Sequence, residues 1–393
     1  MEKESRNRKR GNRIYYRILA GIFAVLFLAF CVLNLVLPDR SLSMREKRML
    51  TAFPTPQLDR VLDGNYSNDF EDYASDQIPF REFFTDLKVF ADTLVGRNES
   101  QGVYRGKDGF LIEKMEEPDE TVTDRTLGAM RAFAQVFPLP QQLILVPNAV
   151  SILSDKLPLW APTADQSAFS RTVAERLTGS GIQVLDLRSE LLIAKMNGVP
   201  LYYRTDHHWT TEAALACAPA VLETLGRSFT GTGTLLPVTD QFSGSLSAKS
   251  GLAVRERDTI SVWQPEEEPV ILVTDSAGKR ASLYSWDGLN SSDPYTVFLG
   301  GNEGLIRIET DRIGAGRLLV FKDSYFNCFL PFLPDSFETI DVVDPRYFSD
   351  ELLTLMLQNS YDQILYFYNI NTFSEDTSLA LVLGEAVEQA GRK

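Results

Sequence analysis

Only two histidines occur in the 393 residues, and they are adjacent, within Tyr203-Arg204-Thr205-Asp206-His207-His208-Trp209-Thr210. Any chemistry that needs an imidazole near neutral pH must use this segment. Asp206 stands two residues before His208, so in an extended or turn conformation both side chains point the same way, as an orienting carboxylate and a general base require. The same spacing suits a plain helix-entry turn, because Thr210 is placed to cap a helix beginning at Thr211-Glu212-Ala213. Metal binding is the competing chemistry, since Asp and His both ligate zinc or manganese. Adjacent histidines rarely both reach one ion. With no third histidine and no Cys-x-x-Cys spacing, the sequence predicts neither a metal site nor a cofactor.

A matching nucleophile lies in Arg317-Leu318-Leu319-Val320-Phe321-Lys322-Asp323-Ser324-Tyr325-Phe326-Asn327, where an apolar strand runs into a short polar turn. An apolar, helix-compatible segment follows through Phe329 and Leu330. Ser324 at such a junction sits at the carboxyl edge of a sheet, and the first N–H groups of the following helix suit an oxyanion. It is equally a natural N-cap. Asn148 and Asn369 follow apolar runs of strand length, and with His207 and Tyr325 they are secondary candidates for oxyanion or substrate contact; asparagine is also an ordinary turn residue. Phe242-Ser243-Gly244-Ser245 offers one more backbone donor.

The elements that would position these residues alternate. Strands are expected at Gln142–Val146, Ile182–Leu187, Arg317–Phe321, Glu338–Val343 and Gln363–Phe367. Helices are expected at Thr126–Phe137, Gln166–Thr178, Thr210–Leu225, Asp350–Gln358 and Ser374–Ala390. Such alternation predicts an α/β layer fold with a largely parallel sheet. Residues 227–310 break the rhythm and read as a β-rich insertion. Nearer the N-terminus, a helical stretch is expected from Tyr66 to Gly96 with a break at Pro79, and Gly106-Lys107-Asp108-Gly109 marks a turn between short strands.

Ile18 to Leu37 is an uncharged apolar run long enough to cross a bilayer, at about 1.5 Å of rise per helical residue. Arg6, Arg8, Lys9, Arg10, Arg13 and Arg17 precede it, so by the positive-inside rule the N-terminus is cytoplasmic and the body extracellular. The run is longer than a signal-peptide core and ends in Leu35-Val36-Leu37-Pro38, which predicts an uncleaved anchor. The expected organisation is a basic tail (1–17), a transmembrane helix (18–37), a stem and helical linker (38–100) and a catalytic domain (101–393). Net charge is -14, and residues 1–17 carry +5 of it, leaving a strongly acidic body. That excludes a nucleic-acid footprint. With Cys31 in the apolar run, only Cys217 and Cys328 remain as a candidate disulfide pair.

Asp206-His207-His208-Trp209 is the signature for which the DHHW family of bacterial membrane-anchored proteins is named, and Lys322-Asp323-Ser324-Tyr325 resembles that family's second block. Agreement extends to Ser43-x-x-Glu46-x-Arg48, to Asp76-Gln77-Ile78-Pro79-Phe80-Arg81 and to Gly106-Lys107-Asp108-Gly109-Phe110-Leu111. More distantly the chain resembles the SGNH-hydrolase-like acetyltransferases of exopolysaccharide modification, including the alginate O-acetylation proteins. The resemblance implies an SGNH-like three-layer sandwich, with Asp206 as orienter, His208 as general base and Ser324 as nucleophile. Those proteins usually place Gly-Thr before the serine, where this chain has Lys322-Asp323. The implied activity is transfer of acetyl groups to hydroxyls of an exopolysaccharide or cell-wall glycan. A multi-spanning membrane-bound O-acyltransferase would supply the acyl group. The same residues would serve an esterase, and a non-catalytic glycan-binding scaffold could stack sugars on Tyr202 and Tyr203.

Overall fold

The computed structural model describes residues 2–43, 48–56, 65–229, 231–252 and 254–392; Glu46 of the stem motif lies outside the described residues. The chain divides into two compact units, residues 1–97 and 98–393.

The first unit opens with a helix, Glu2–Val36. Its stretch Tyr15–Asn34 is long and apolar enough to cross a membrane, and none of it is buried within the protein. A two-stranded ladder follows, β1 (Leu42–Ser43) with β2 (Arg48–Met49). Helices Asn65–Gln77 and Arg81–Leu94 come next. They are separated at Ile78-Pro79-Phe80, as the proline predicts, and Phe80 adopts a left-handed backbone (φ 59°). The Asp76-Gln77 pair does structural work here: Asp76 accepts from Thr51 N at 2.9 Å, and Gln77 Nε2 donates to the carbonyls of Arg40 and Thr51.

The second unit begins with a three-stranded meander of β3 (Glu99–Ser100), β4 (Val103–Arg105) and β5 (Leu111–Glu113), turning at the predicted Gly106–Gly109 cluster. It then builds an eight-stranded sheet. Five strands are parallel: β6 (Gln141–Val146), β7 (Ile182–Asp186), β13 (Arg317–Lys322), β14 (Thr339–Val343) and β15 (Gln363–Asn369). They stand in the order β14-β13-β15-β6-β7, so the strands carrying Ser324, Asn369 and Asn148 at their carboxyl ends are direct neighbours. The four inner strands are mainly apolar runs, as strands covered on both faces must be, whereas β7 at the sheet edge is half-buried.

The segment 227–310 is β-rich, as expected, and part of it belongs to the main sheet. Its first part forms a hairpin of β8 (Gly233–Phe242) and β9 (Asp258–Pro265), but β10 (Ile271–Asp275), β11 (Gly278–Arg280) and β12 (Leu305–Thr310) extend the main sheet as an antiparallel edge beside β14. Register with β14 decides this, and such pairing between distant segments leaves no local mark.

Helices Glu120–Val136, Gln166–Leu177, Leu352–Gln358 and Ser378–Gly391 pack with one another, and Arg188–Met196 with Thr211–Thr224, as the outer layers of an SGNH-like α/β sandwich. Three details differ from expectation. The helix Arg188–Met196 was not predicted. The C-terminal helix is two, Ile370–Glu375 and Ser378–Gly391, parted at Asp376-Thr377. After Ser324 the chain makes short 3₁₀ turns, Ser324–Cys328, Leu330–Phe332 and Pro334–Ser336, because Pro331 and Pro334 supply no N–H to continue an α-helix. All three cysteines are free thiols, so Cys217 and Cys328 do not pair.

Candidate active site

Ser324 stands immediately beyond the buried strand β13. Asp323 fixes the turn: one carboxylate oxygen accepts from Tyr325 N at 2.9 Å, and the other accepts from Asn369 N at 2.8 Å and Asn369 Nδ2 at 2.6 Å. One side chain thus ties the ends of β13 and β15. Burial pushes its carboxyl up to about 6, opposed by the Arg346 charge and by the two N–H donors. Lys322, expected only as a departure from the usual Gly-Thr, is fully buried and donates to Asn302 at 2.7 Å and to Asp344 at 3.0 Å. Arg346 completes the cluster with hydrogen bonds of 2.8 and 2.7 Å to Asp344, whose carboxyl stays below its ordinary range despite burial because two cations hold it.

The histidine segment crosses to this turn from the loop before the helix Thr211–Thr224, which Thr210 caps by accepting from Ala213 N at 3.1 Å. Buried Asp258 grips its start, accepting from Arg204 N and Thr205 N at 2.8 Å each and from Thr205 Oγ1 at 2.6 Å. Trp209 grips its end. Its fully buried indole donates from Nε1 to Tyr325 O at 2.9 Å, beside the rings of Tyr325 and Phe329.

Between these grips, His208 Nε2 lies 2.7 Å from Ser324 Oγ, and His208 Nδ1 lies 2.6 Å from Asp206 Oδ1. Asp206 also accepts from His208 N at 2.9 Å and from Ser245 N at 2.7 Å. Burial raises its carboxyl, but the neighbouring imidazoles and these hydrogen bonds outweigh burial and hold it well below the usual range. An ionised carboxylate only accepts, so Nδ1 carries the proton and Nε2 is left to accept from the serine hydroxyl. His208 is lowered to about 4, first by burial and then by the adjacent His207, so it is neutral at pH 7. A neutral imidazole in hydrogen-bond reach of a serine and oriented by a carboxylate has the arrangement of a general base.

The secondary candidates are arranged differently from expectation. Asn148 Nδ2 donates to Tyr325 Oη and Asn369 Oδ1, while Asn369 Nδ2 donates to Asp323 and Thr372. Asn148 Oδ1 accepts from Gln166 and from Asn371 N. Both amides are thus engaged in a buried network, where they brace the sheet edge and offer no unused oxyanion donor. Tyr325 is fully buried and donates its hydroxyl to His207 O, joining the serine turn to the histidine turn without reaching substrate space. His207 keeps a partly exposed ring, with Nδ1 2.6 Å from Ser245 Oγ. The backbone donors expected after Ser324 are reduced to one: Tyr325 N–H goes to Asp323 Oδ1 and Phe326 N–H to Asp323 O, while Ser324 N–H has no acceptor among the described residues. Ser245 in the Phe242–Ser245 segment gives its N–H to Asp206 instead of to an oxyanion.

Asp206, His207 and His208 each offer a ligand atom within 4.8 Å of the others. Asp206 and His208 already spend theirs on each other and on Ser324, which makes the cluster a poor match for a metal. Gly244 lies in the Phe242–Ser245 segment already singled out as a donor, and its N–H goes to Thr205 Oγ1, whereas Asp258 and Tyr295, an isolated aspartate and tyrosine, carry no signal in the sequence.

Residues 139–270 match the family model described as SGNH hydrolase-like domain, acetyltransferase AlgX; the match includes Asp206 and His208 and ends before Ser324. A probable alginate O-acetylase AlgJ from Pseudomonas fluorescens is 24% identical over 214 residues, 52% of this chain and 51% of that protein, so the chain spans about half the length of this curated relative. Among solved structures, a DHHW family protein from Eubacterium siraeum superposes with a TM-score of 0.62 at 21% identity, over 72% of this chain and 95% of the other. The O-acetyltransferase domain of Pseudomonas putida AlgJ gives 0.50 at 14% identity, over 74% and 99%. The chain thus shares the α/β fold of the DHHW family protein, and over residues 139–270, which hold the Asp206-His207-His208-Trp209 signature, it is similar to the SGNH hydrolase-like domain.

Proposed function

We propose that the protein is a membrane-anchored O-acyltransferase that acetylates hydroxyls of an exopolysaccharide or cell-wall glycan through an acyl-Ser324 intermediate. The observation that carries this reading is the relay Asp206–His208–Ser324, whose two hydrogen bonds of 2.6 and 2.7 Å join residues up to 118 positions apart (206 to 324). In the first half-reaction His208 Nε2 takes the Ser324 proton as Oγ attacks the acyl carbonyl, then returns it to the departing oxygen of the donor. In the second, a sugar hydroxyl gives its proton to Nε2 and attacks the ester, and Ser324 leaves with that proton. The unpartnered Ser324 N–H supplies one donor for the oxyanion formed in each half.

The apolar helix supports a single-pass anchor with the basic N-terminus in the cytoplasm and the domain outside. A domain so placed needs an acyl donor delivered across the membrane, which is why a multi-spanning acyltransferase is the partner we assign. The test is to incubate the full chain in detergent with 4-nitrophenyl acetate, with and without an oligosaccharide acceptor, and to follow both products by mass spectrometry. Transfer predicts acetylated Ser324 without acceptor and an acetylated sugar with it; release of acetate with no sugar product would make the protein an esterase, and neither acetate release, sugar product nor acetyl-Ser324 would leave a glycan-binding scaffold.

A further inference from the structure

We infer that Tyr295 is a positioning residue of this site, holding the His208 imidazole and the Ser324 backbone in one register; this deepens the reading above and rests on it for its catalytic consequence. The phenol ring of Tyr295 stacks on the His208 ring with centroids 3.8 Å apart and planes 11° from parallel. Its hydroxyl donates to Ser324 O at 3.2 Å. One side chain therefore touches both the base and the nucleophile's own peptide. Hydrogen bonds at Nδ1 and Nε2 hold the edge of the His208 ring, and the His207 ring meets it tilted by 36° with centroids 3.8 Å apart; Tyr295 adds the near-parallel face that limits tilting of the imidazole and keeps Nε2 directed at the Ser324 hydroxyl.

Tyr295 is itself buried and closely packed. It is 4% exposed, with the edge-on ring of Tyr203 at 6.3 Å and Phe298 at 5.0 Å. The backbone beneath it is a 3₁₀ turn, Pro294–Val297, in which Asp293 caps Tyr295 N and Pro294 presets the first dihedral. The bridge between Tyr284 and Phe298 closes the segment, just before the chain enters the sheet at β12. The antiparallel edge of the sheet therefore delivers a residue to the site as well as covering β14. The stacked face also suits the reaction, because the imidazolium formed when His208 takes the serine proton is attracted to the electron-rich ring.

The test compares Tyr295→Phe, which keeps the face and loses the hydroxyl, with Tyr295→Leu, which loses both, in the full chain. Two readouts are taken. The first is the hydrogen-bonded His208 Nδ1 proton in the downfield NMR spectrum, assignable because the protein has only two histidines. The second is kcat and KM for 4-nitrophenyl acetate. The expected result is a sharp downfield proton in wild type and Tyr295→Phe that broadens or vanishes in Tyr295→Leu, with kcat falling at least about tenfold in Tyr295→Leu at little change in KM, and by a smaller but measurable factor in Tyr295→Phe, which loses only the bond to Ser324 O. If the leucine variant does not fold, Tyr295→Met fills the same space without a flat face and takes its place. An unchanged Nδ1 proton and wild-type kcat in a folded Leu or Met variant would overturn the inference. A wild-type protein with the downfield proton but no acyl-Ser324 would instead overturn the proposed function and leave the positioning role standing.

Discussion

A Cβ placed on Gly244 would lie 2.2 Å from the Cβ of Asp206, far inside any contact between real side chains. The glycine lets the backbone of residues 244–245 pass against the carboxylate closely enough for Ser245 N to donate to Asp206 and for Gly244 N to donate to Thr205 Oγ1 at 2.9 Å. Gly244→Ala must push this segment away from Asp206. The expected outcome is a loss of roughly 1–3 kcal/mol of stability by denaturant unfolding, as for other overpacked sites, with esterase activity toward 4-nitrophenyl acetate falling on the order of a hundredfold. Wild-type activity in Gly244→Ala would show that Asp206 needs no such support.

Ser324→Ala deletes one hydroxyl at a turn already capped by Asp323. Stability should change by at most about 1–2 kcal/mol, the range of one hydrogen bond, while the acetyl-Ser324 peptide disappears and glycan acetylation in cells stops. A folded Ser324→Ala protein that still acetylates its glycan at the wild-type level would end the covalent mechanism.

The pH dependence follows from His208. Its folded value of about 4 lies below the ordinary 6.5, so between these values the unfolded chain binds a proton that the folded chain refuses. This term therefore stabilises the fold least at low pH, and its contribution grows by about 3 kcal/mol as pH rises from 4 to 6.5. Melting temperature should climb through that window and flatten in His208→Gln. The acid limb of kcat/KM should fall near pH 4, and His207→Gln, which removes the neighbouring imidazole, should move that limb upward while leaving substantial activity. An acid limb near 6.5 in wild type would contradict the burial argument.

Asp344 is shared by two cations, Lys322 and Arg346, so its removal and theirs are unequal. Asp344→Ala leaves a fully buried ammonium without its carboxylate and should cost roughly 3–5 kcal/mol, whereas Lys322→Met leaves Asp344 paired with Arg346 and should cost much less. Urea midpoints of the two variants measure the difference; equal losses would mean that the lysine, not the carboxylate, organises the cluster.

Much of this protein was determined by sequence alone. Apolar runs of strand length located the five parallel strands, four of which are buried on both faces. A polar turn after one of them marked Ser324. The scarcity of histidine narrowed the base to one dipeptide, and the spacing of Asp206 from His208 followed from chain geometry. Tertiary structure decided the rest. That β10, β11 and β12 join the main sheet depends on register with β14, a pairing between segments that share no local pattern. Asn148 and Asn369 carry the right chemistry at the right strand ends, yet their amides meet each other, Asp323 and Thr372 because neighbouring strands bring them into contact. Gly244, Asp258 and Tyr295 act on Asp206, Thr205 and His208 from 38 (206 to 244), 53 (205 to 258) and 87 (208 to 295) positions away. Their roles exist only as distances between parts of the chain that the fold brings together, and residue type by itself encodes no distance.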